Sequence, residues 1–151
     1  MSRVATDADV PRLVAIEDNP ADVRLLEEGV DAAGIELDLQ VINSGQQAVE
    51  QLTAIAADSP ENHPNLILLD LNLPGKSGFE VLATVRNETV FQHVPVVVVS
   101  SSENPDDINR VYELSANSYI TKPADPDDYI GMIAATVDFW ITTATASTTN
   151  D

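Results

Sequence analysis

The chain has 151 residues, 44% of them hydrophobic, which is enough for one buried core and too few for two ordinary domains. It contains no cysteine, so disulfide, thiolate-metal and thiol-redox chemistry are excluded. Its formal charge of −18, from 25 acidic against 7 basic residues, repels nucleic-acid backbones and anionic lipid, so neither a nucleic-acid nor a membrane partner is expected.

Asp dominates the acids, which are scattered along the chain, and lysine occurs only at Lys76 and Lys122. This is the surface expected of a halophilic protein, in which salt screens self-repulsion. Residues 1–10, with Asp7 and Asp9 and no apolar run, form an N-terminal arm without the character of a signal segment. The longest apolar runs are strand-length, so a cytoplasmic protein is expected.

From there the chain alternates short apolar runs with longer segments that open on helix-start signals. Leu13 to Ile16 reads as a first strand, and Asn19-Pro20 as the cap and first residue of a helix that runs to Ala33 and stops at Gly34. Leu37 to Ile42 alternates as a second strand. Ser44 with Gln47 predicts a capping box and a helix to about Ala57, followed by a loop from Asp58 to Asn65. Leu66 to Leu69 is apolar throughout, as a central strand buried on both faces should be, and it ends at Asp70. Ser77 with Glu80 opens a helix to about Asn87. Val96 to Val99 is a fourth strand ending in Ser100, and Ser118 to Thr121 a fifth. Asn104-Pro105 and Asp125-Pro126 start the last two helices. The domain spans 11–141, and residues 142–151, rich in Thr and Ala without core residues, are expected to be a disordered tail. That leaves no room for an output domain after the last helix.

Five such units predict an α/β fold, a doubly wound five-stranded parallel sheet that binds ligands outside the carboxyl ends of its strands. The residues there are Glu17 and Asp18, Asp70, Ser100 and Lys122. Carboxylates crowded together persist only if a cation or a shared proton compensates them. A hard divalent ion such as Mg2+ suits Asp18 and Asp70, which can each supply an oxygen. Lys122 brings a localised positive charge and Ser100 a hydroxyl, both suited to phosphoryl oxygens. Attack by Asp70 on a phosphoryl donor would give an acyl phosphate.

The set Glu17-Asp18-Asn19, Asp70-Leu71-Asn72-Leu73-Pro74-Gly75, Ser100 and Lys122-Pro123 resembles that of response-regulator receiver domains, with four segments matching in order over roughly residues 11 to 140. The resemblance implies a flavodoxin-like receiver fold in a two-component pathway. Asp70 corresponds to the phosphoacceptor, and Asp18 and Asp70 to the side-chain Mg2+ ligands. The backbone carbonyl of Asn72 adds to the metal shell, and Glu17 acts through water. Ser100 corresponds to the switch hydroxyl, Tyr119 to the aromatic that reports phosphorylation, and Lys122 to the salt-bridging lysine, aimed by a cis bond to Pro123. The segments EDNPADVRLL and DLNLPGKSGFEVL are most similar to stand-alone receivers associated with phytochromes. The implied partners are a histidine kinase or phosphotransfer protein upstream and an unknown protein downstream.

Other readings fit less well. Gly75-Lys76-Ser77 is no phosphate loop, because Asp70 stands where its first glycine is needed. A phosphatase of the haloacid-dehalogenase type wants a second Asp where Asn72 stands, and a flavin carrier wants a phosphate loop where Glu17 and Asp18 would repel it. A receiver-like scaffold that is never phosphorylated is disfavoured by the complete residue set. Ser101 and Ser102 read as simple loop hydroxyls, and His63 and His93 as surface residues. On the last helix Tyr129, Met132, Phe139 and Trp140 form a second apolar stripe, an expected homodimer or partner contact.

Overall fold

A computed structural model describes residues 10–149, with side chains through Thr142. The elements run β1 (Arg12–Ile16), α1 (Pro20–Ala33), β2 (Asp38–Ile42), α2 (Gly45–Thr53), β3 (Leu66–Leu69), α3 (Gly78–Glu88), β4 (Val96–Ser100), α4 (Pro105–Glu113), β5 (Ser118–Thr121) and α5 (Pro126–Thr149). The strands form one parallel sheet in the order β2-β1-β3-β4-β5. The order reverses between β1 and β3, so the chain leaves these neighbours in opposite directions and opens a crevice at their carboxyl ends.

The two-residue period of the strands divides the core. Leu13 and Ala15, Leu66 and Leu68, and Val97 and Val99 face one layer, where they meet Leu26 of α1 and Ile133 and Val137 of α5. Val14 and Ile16, Ile67 and Leu69, and Val96 and Val98 face the other, against Leu52 of α2, Val81 and Leu82 of α3, and Val111 of α4. The contact between α1 and α5 is close: a Cβ on Gly29 would lie 2.6 Å from the Ile133 side chain.

The caps anticipated from sequence form. Asn19 Oδ1 accepts from the N–H groups of Ala21 and Asp22, and Gly34, in the left-handed region at φ 68°, ends α1. Ser77 and Glu80 make the reciprocal box at α3. At α2 only half of the expected capping box forms: Ser44 accepts from the Gln47 N–H, without the reciprocal bond from the Gln47 side chain. That helix stops at Thr53 rather than near Ala57. Ile55 packs part-buried against the core, and the carbonyl of Ala56 accepts the Ser59 N–H at 3.2 Å and meets His63 Nε2 at 2.9 Å. His63 also packs its ring against Phe91, so it braces this loop, within which Pro60–Asn62 forms a short 3-10 turn.

Two further differences follow β5. The boundary drawn at 141 falls inside α5, whose helical backbone continues to Thr149; residues 1–9, 150 and 151 of the arm and tail lie outside the described residues. No described peptide bond is cis, so the cis bond expected before Pro123 is not adopted. Lys122 is aimed from a trans bond, with its N–H held by the Ser100 carbonyl at 2.8 Å.

Candidate functional site

The sheet ladder runs past the strand ends and fixes the first two carboxylates. Glu17 N–H donates to the Ile42 carbonyl and Asp70 N–H to the Ile16 carbonyl, both at 3.0 Å. Each acid therefore leaves the sheet at the reversal point with its backbone pinned. Behind Asp70 the chain is packed tightly, since a Cβ on Gly78 would lie 2.4 Å from the Asp70 carbonyl oxygen. The loop between β3 and α3 is also tied to α2, because Gly45 N–H donates to the Pro74 carbonyl at 3.1 Å.

Glu17, Asp18 and Asp70 each offer a carboxylate oxygen, and these atoms lie within 4.8 Å of one another. Glu17 and Asp70 are buried, at 4% and 6% exposure, whereas Asp18 faces solvent. Asn72 borders the same cleft, with its N–H on Asp70 Oδ1 at 3.1 Å. An all-oxygen set with one exposed member fits a hard divalent cation that keeps part of its water.

Lys122 reaches in from the end of β5. Its ammonium donates to Glu17 Oε1 at 2.8 Å, Asp22 Oδ2 at 2.8 Å and Asp70 Oδ2 at 2.9 Å. Burial pulls the Lys122 pKa down, but the hydrogen bonds to Asp22, Glu17 and Asp70 outweigh it and leave the pKa above the ordinary lysine value. Burial pushes the Glu17 carboxyl up to about 7, against the hydrogen bond from Lys122 and with the charge of Asp70 reinforcing it.

Ser100 lies at the end of β4, fully buried, with its Oγ accepting from the Ser102 N–H at 3.3 Å. It ends the run that faces the α2–α4 layer, so it sits beneath the loop, while the next residue, Ser101, borders the cleft. Tyr119 packs against the core and its hydroxyl donates to the Ser102 carbonyl. Ser102 Oγ in turn donates to Asp107 Oδ2 at 2.7 Å and accepts from the Asn104 N–H at 3.2 Å. Ser102 is thus the node that joins Ser100, Tyr119 and the start of α4, and the simple loop hydroxyl anticipated there is corrected.

Three residues around the site were missed from sequence. Ser101 and Ser102 sit in a serine run that offers no period to separate them. Asp22 looked like an ordinary first-turn acid of α1, and its only signal was its place four residues after Asp18 in a capped helix start.

The stripe expected on α5 is corrected as well. Tyr129 is 2% exposed and belongs to the core, and Met132 and Trp140 are half-buried against it. Only Phe139 stands out, at 59%, edge-on to the Trp140 ring. The reason is the angular width of the helix face: α5 lies along α1 and covers the sheet, so both adjacent sectors find cover. Burial also pushes the Tyr129 phenol above its ordinary value.

The response regulator receiver domain family matches the chain over residues 13–134. Response regulator Rcp1 of Synechocystis is 36% identical over 143 residues, covering 94% of this chain and 97% of that protein. The crystal structure of the phosphorylated cyanobacterial phytochrome response regulator RcpA is similar at a TM-score of 0.80 and 36% identity, covering 89% of this chain and 96% of RcpA. The Mn(2+)-bound form of Rcp1 has a TM-score of 0.78 at 37% identity, covering 86% of this chain and 94% of its own.

Proposed function

The chain belongs to the response regulator receiver domain family, and from that premise we propose that Asp70 accepts a phosphoryl group from a histidine kinase or phosphotransfer protein and that the chain signals by changing shape. The observation that carries this reading is the Lys122 ammonium 2.9 Å from Asp70 Oδ2, within the three-carboxylate cluster. Similarity to a phytochrome response regulator favours a phytochrome-type kinase as the donor. The receiver at the other end of the exchange is a downstream protein of unspecified identity.

In the transfer, an Asp70 carboxylate oxygen attacks phosphorus and an O–P bond forms. The P–N bond of a phosphohistidine donor breaks, and the imidazole leaves with the electron pair and takes up a proton. Lys122 faces the phosphoryl oxygens from the β5 side and stabilises the charge that collects on them. Mg2+, held by the side chains of Asp18 and Asp70 and the Asn72 carbonyl with Glu17 acting through water, would supply the positive charge that such a carboxylate-rich site needs to accept a phosphoryl group. Ser100 would exchange its bond to the Ser102 N–H for a phosphoryl oxygen. Because the Tyr119 hydroxyl also rests on Ser102, that exchange supports a coupled movement of the β4–α4 loop and Tyr119.

The chain is a phosphoacceptor rather than an enzyme that releases a product. Asn72, two residues past Asp70, has no acidic proton to give a leaving group, which argues against a phosphatase of the Asp-nucleophile type. Incubation with acetyl phosphate and magnesium, followed by intact-mass measurement, tests the proposal. One phosphoryl group is expected on the wild type and none on Asp70→Asn; equal labelling of the variant would overturn it. Magnesium is expected to raise the melting temperature of the unphosphorylated protein, and Asp18→Ala to remove that shift.

A further inference from the structure

Two of the three carboxylates that hold the Lys122 ammonium, Glu17 and Asp70, also belong to the group that could ligate a metal. The third, Asp22, does not. We propose that Asp22 is a positioning residue, which keeps the Lys122 ammonium over the acceptor carboxylate throughout the phosphorylation cycle; this deepens, and rests on, the assignment of Asp70 as phosphoacceptor.

An ammonium has three N–H donors, and here each is directed at a different carboxylate. A cation at Glu17, Asp18 and Asp70 draws on the charge of the first and third of these partners. Phosphorylation then converts the Asp70 carboxylate to an acyl phosphate, a mixed anhydride, and frees one donor for a phosphoryl oxygen. Asp22 alone of the three takes part in neither event, so it is the fixed point from which lysine can turn that donor toward the phosphoryl group.

The anchor is rigid where the lysine is not. Asp22 lies in the first turn of α1, with its own N–H held by Asn19 Oδ1 at 3.2 Å, and its side chain is 26% exposed. Lys122 extends a four-carbon stem with several rotatable bonds, which confers no fixed direction without an anchor. The charge around the ammonium also argues for positioning over simple neutralisation, because the Asp70 carboxylate by itself already balances it before Asp22 is counted.

The experiment compares Asp22→Ala and Asp22→Asn with the wild type, measuring the initial rate of labelling by acetyl phosphate at saturating magnesium, the magnesium dissociation constant and the 15N signal of the Lys122 ammonium. Loss of positioning predicts a labelling rate lowered about ten-fold in Asp22→Ala. In Asp22→Asn, which keeps an acceptor oxygen in place, the rate is expected to fall no more than about three-fold. The ammonium signal should broaden in Asp22→Ala and persist in Asp22→Asn, with magnesium affinity not weakened in either. A role confined to the start of α1 would affect both variants alike, since both remove the same charge from the helix terminus. Equal rates in all three proteins, or equal losses in the two variants, would overturn the proposal. Failure of the wild type to label would instead strike the assignment of Asp70, so the two failures are distinct.

Discussion

At the scale of single residues, the acidic site governs pH behaviour and one arginine governs the far end of the sheet. The folded-state pKa of Glu17, about 7, lies above its ordinary 4.5, so the native protein holds this proton more tightly than the unfolded chain. The corresponding stability is complete below pH 4.5 and is lost as pH rises through about 7, a change on the order of a few kcal/mol. Urea titrations in chelator between pH 4.5 and 8 should show this loss in the wild type and a flatter profile in Glu17→Gln; parallel profiles would contradict the burial argument. At the opposite edge, Arg86 donates through Nε to the Ser115 carbonyl, through Nη1 to the carbonyls of Gln92 and Val94, and through Nη2 to Asn117 Oδ1. Its planar fork fits four acceptors on two loops, which a lysine cannot match. Arg86→Ala should cost about 1–3 kcal/mol and Arg86→Lys nearly as much, because four mostly exposed acceptors on two loops, with the Val94 carbonyl part-buried, lose their shared donor; a wild-type melting temperature in Arg86→Lys would show that charge alone suffices.

At the scale of elements, the helices differ in how firmly they are held. α1 and α5 meet closely at Gly29 and Ile133, where a Cβ would lie within 2.6 Å of atoms near the base of a branched side chain. Alanine has the higher helix propensity, by about 0.5–1 kcal/mol, but overpacking costs about 1–3 kcal/mol, so Gly29→Ala should be destabilising by roughly 1–2 kcal/mol. Thermal melts of the two proteins decide the sign, and a stabilised variant would mean that α5 yields easily. α4 stands at the other extreme. It buries only Val111 and is otherwise held by Arg110 over the Phe79 ring at 4.1 Å and by the Tyr112 hydroxyl, which accepts from the Tyr119 N–H at 3.1 Å. A helix with one buried anchor, joined to Ser102 at its start, is the part of the fold able to move at least cost when Ser100 and Tyr119 change partners.

At the scale of the whole molecule, the charge of −18 is a self-repulsion. Among the described residues the ion pairs are Arg12 with Asp38 and Lys122 with its three carboxylates, and the latter are buried at the site rather than spread over the surface. The Debye length falls from about 30 Å at 0.01 M salt to about 3 Å at 1 M, so the protein should gain stability steeply over that range. A melting temperature independent of salt would refute a halophilic origin of the acidity. No helix among the described residues is long and apolar enough to cross a membrane, and the family match spans the sheet and most of its helices as one unit.

The sequence by itself determined the order of elements, the caps of α1 and α3, and the strand-end identities of Glu17, Asp18, Asp70 and Lys122, because these depend on local periodicity, on side chains that bond their own backbone, and on a topology in which strand ends converge. It could not show that Asp22 shares the lysine, since an acid in a first helical turn looks the same whether it faces water or an ammonium a hundred residues away in sequence. Nor could it tell Ser101, which borders the cleft, from Ser102, the node between the loop and α4, since both read alike as loop hydroxyls and their roles are set by the direction each takes as β4 ends. The burial of Tyr129 followed the same logic: a helix carries its apolar sectors in its sequence, but only the packing of α5 along α1 and the sheet decided how wide a sector is covered.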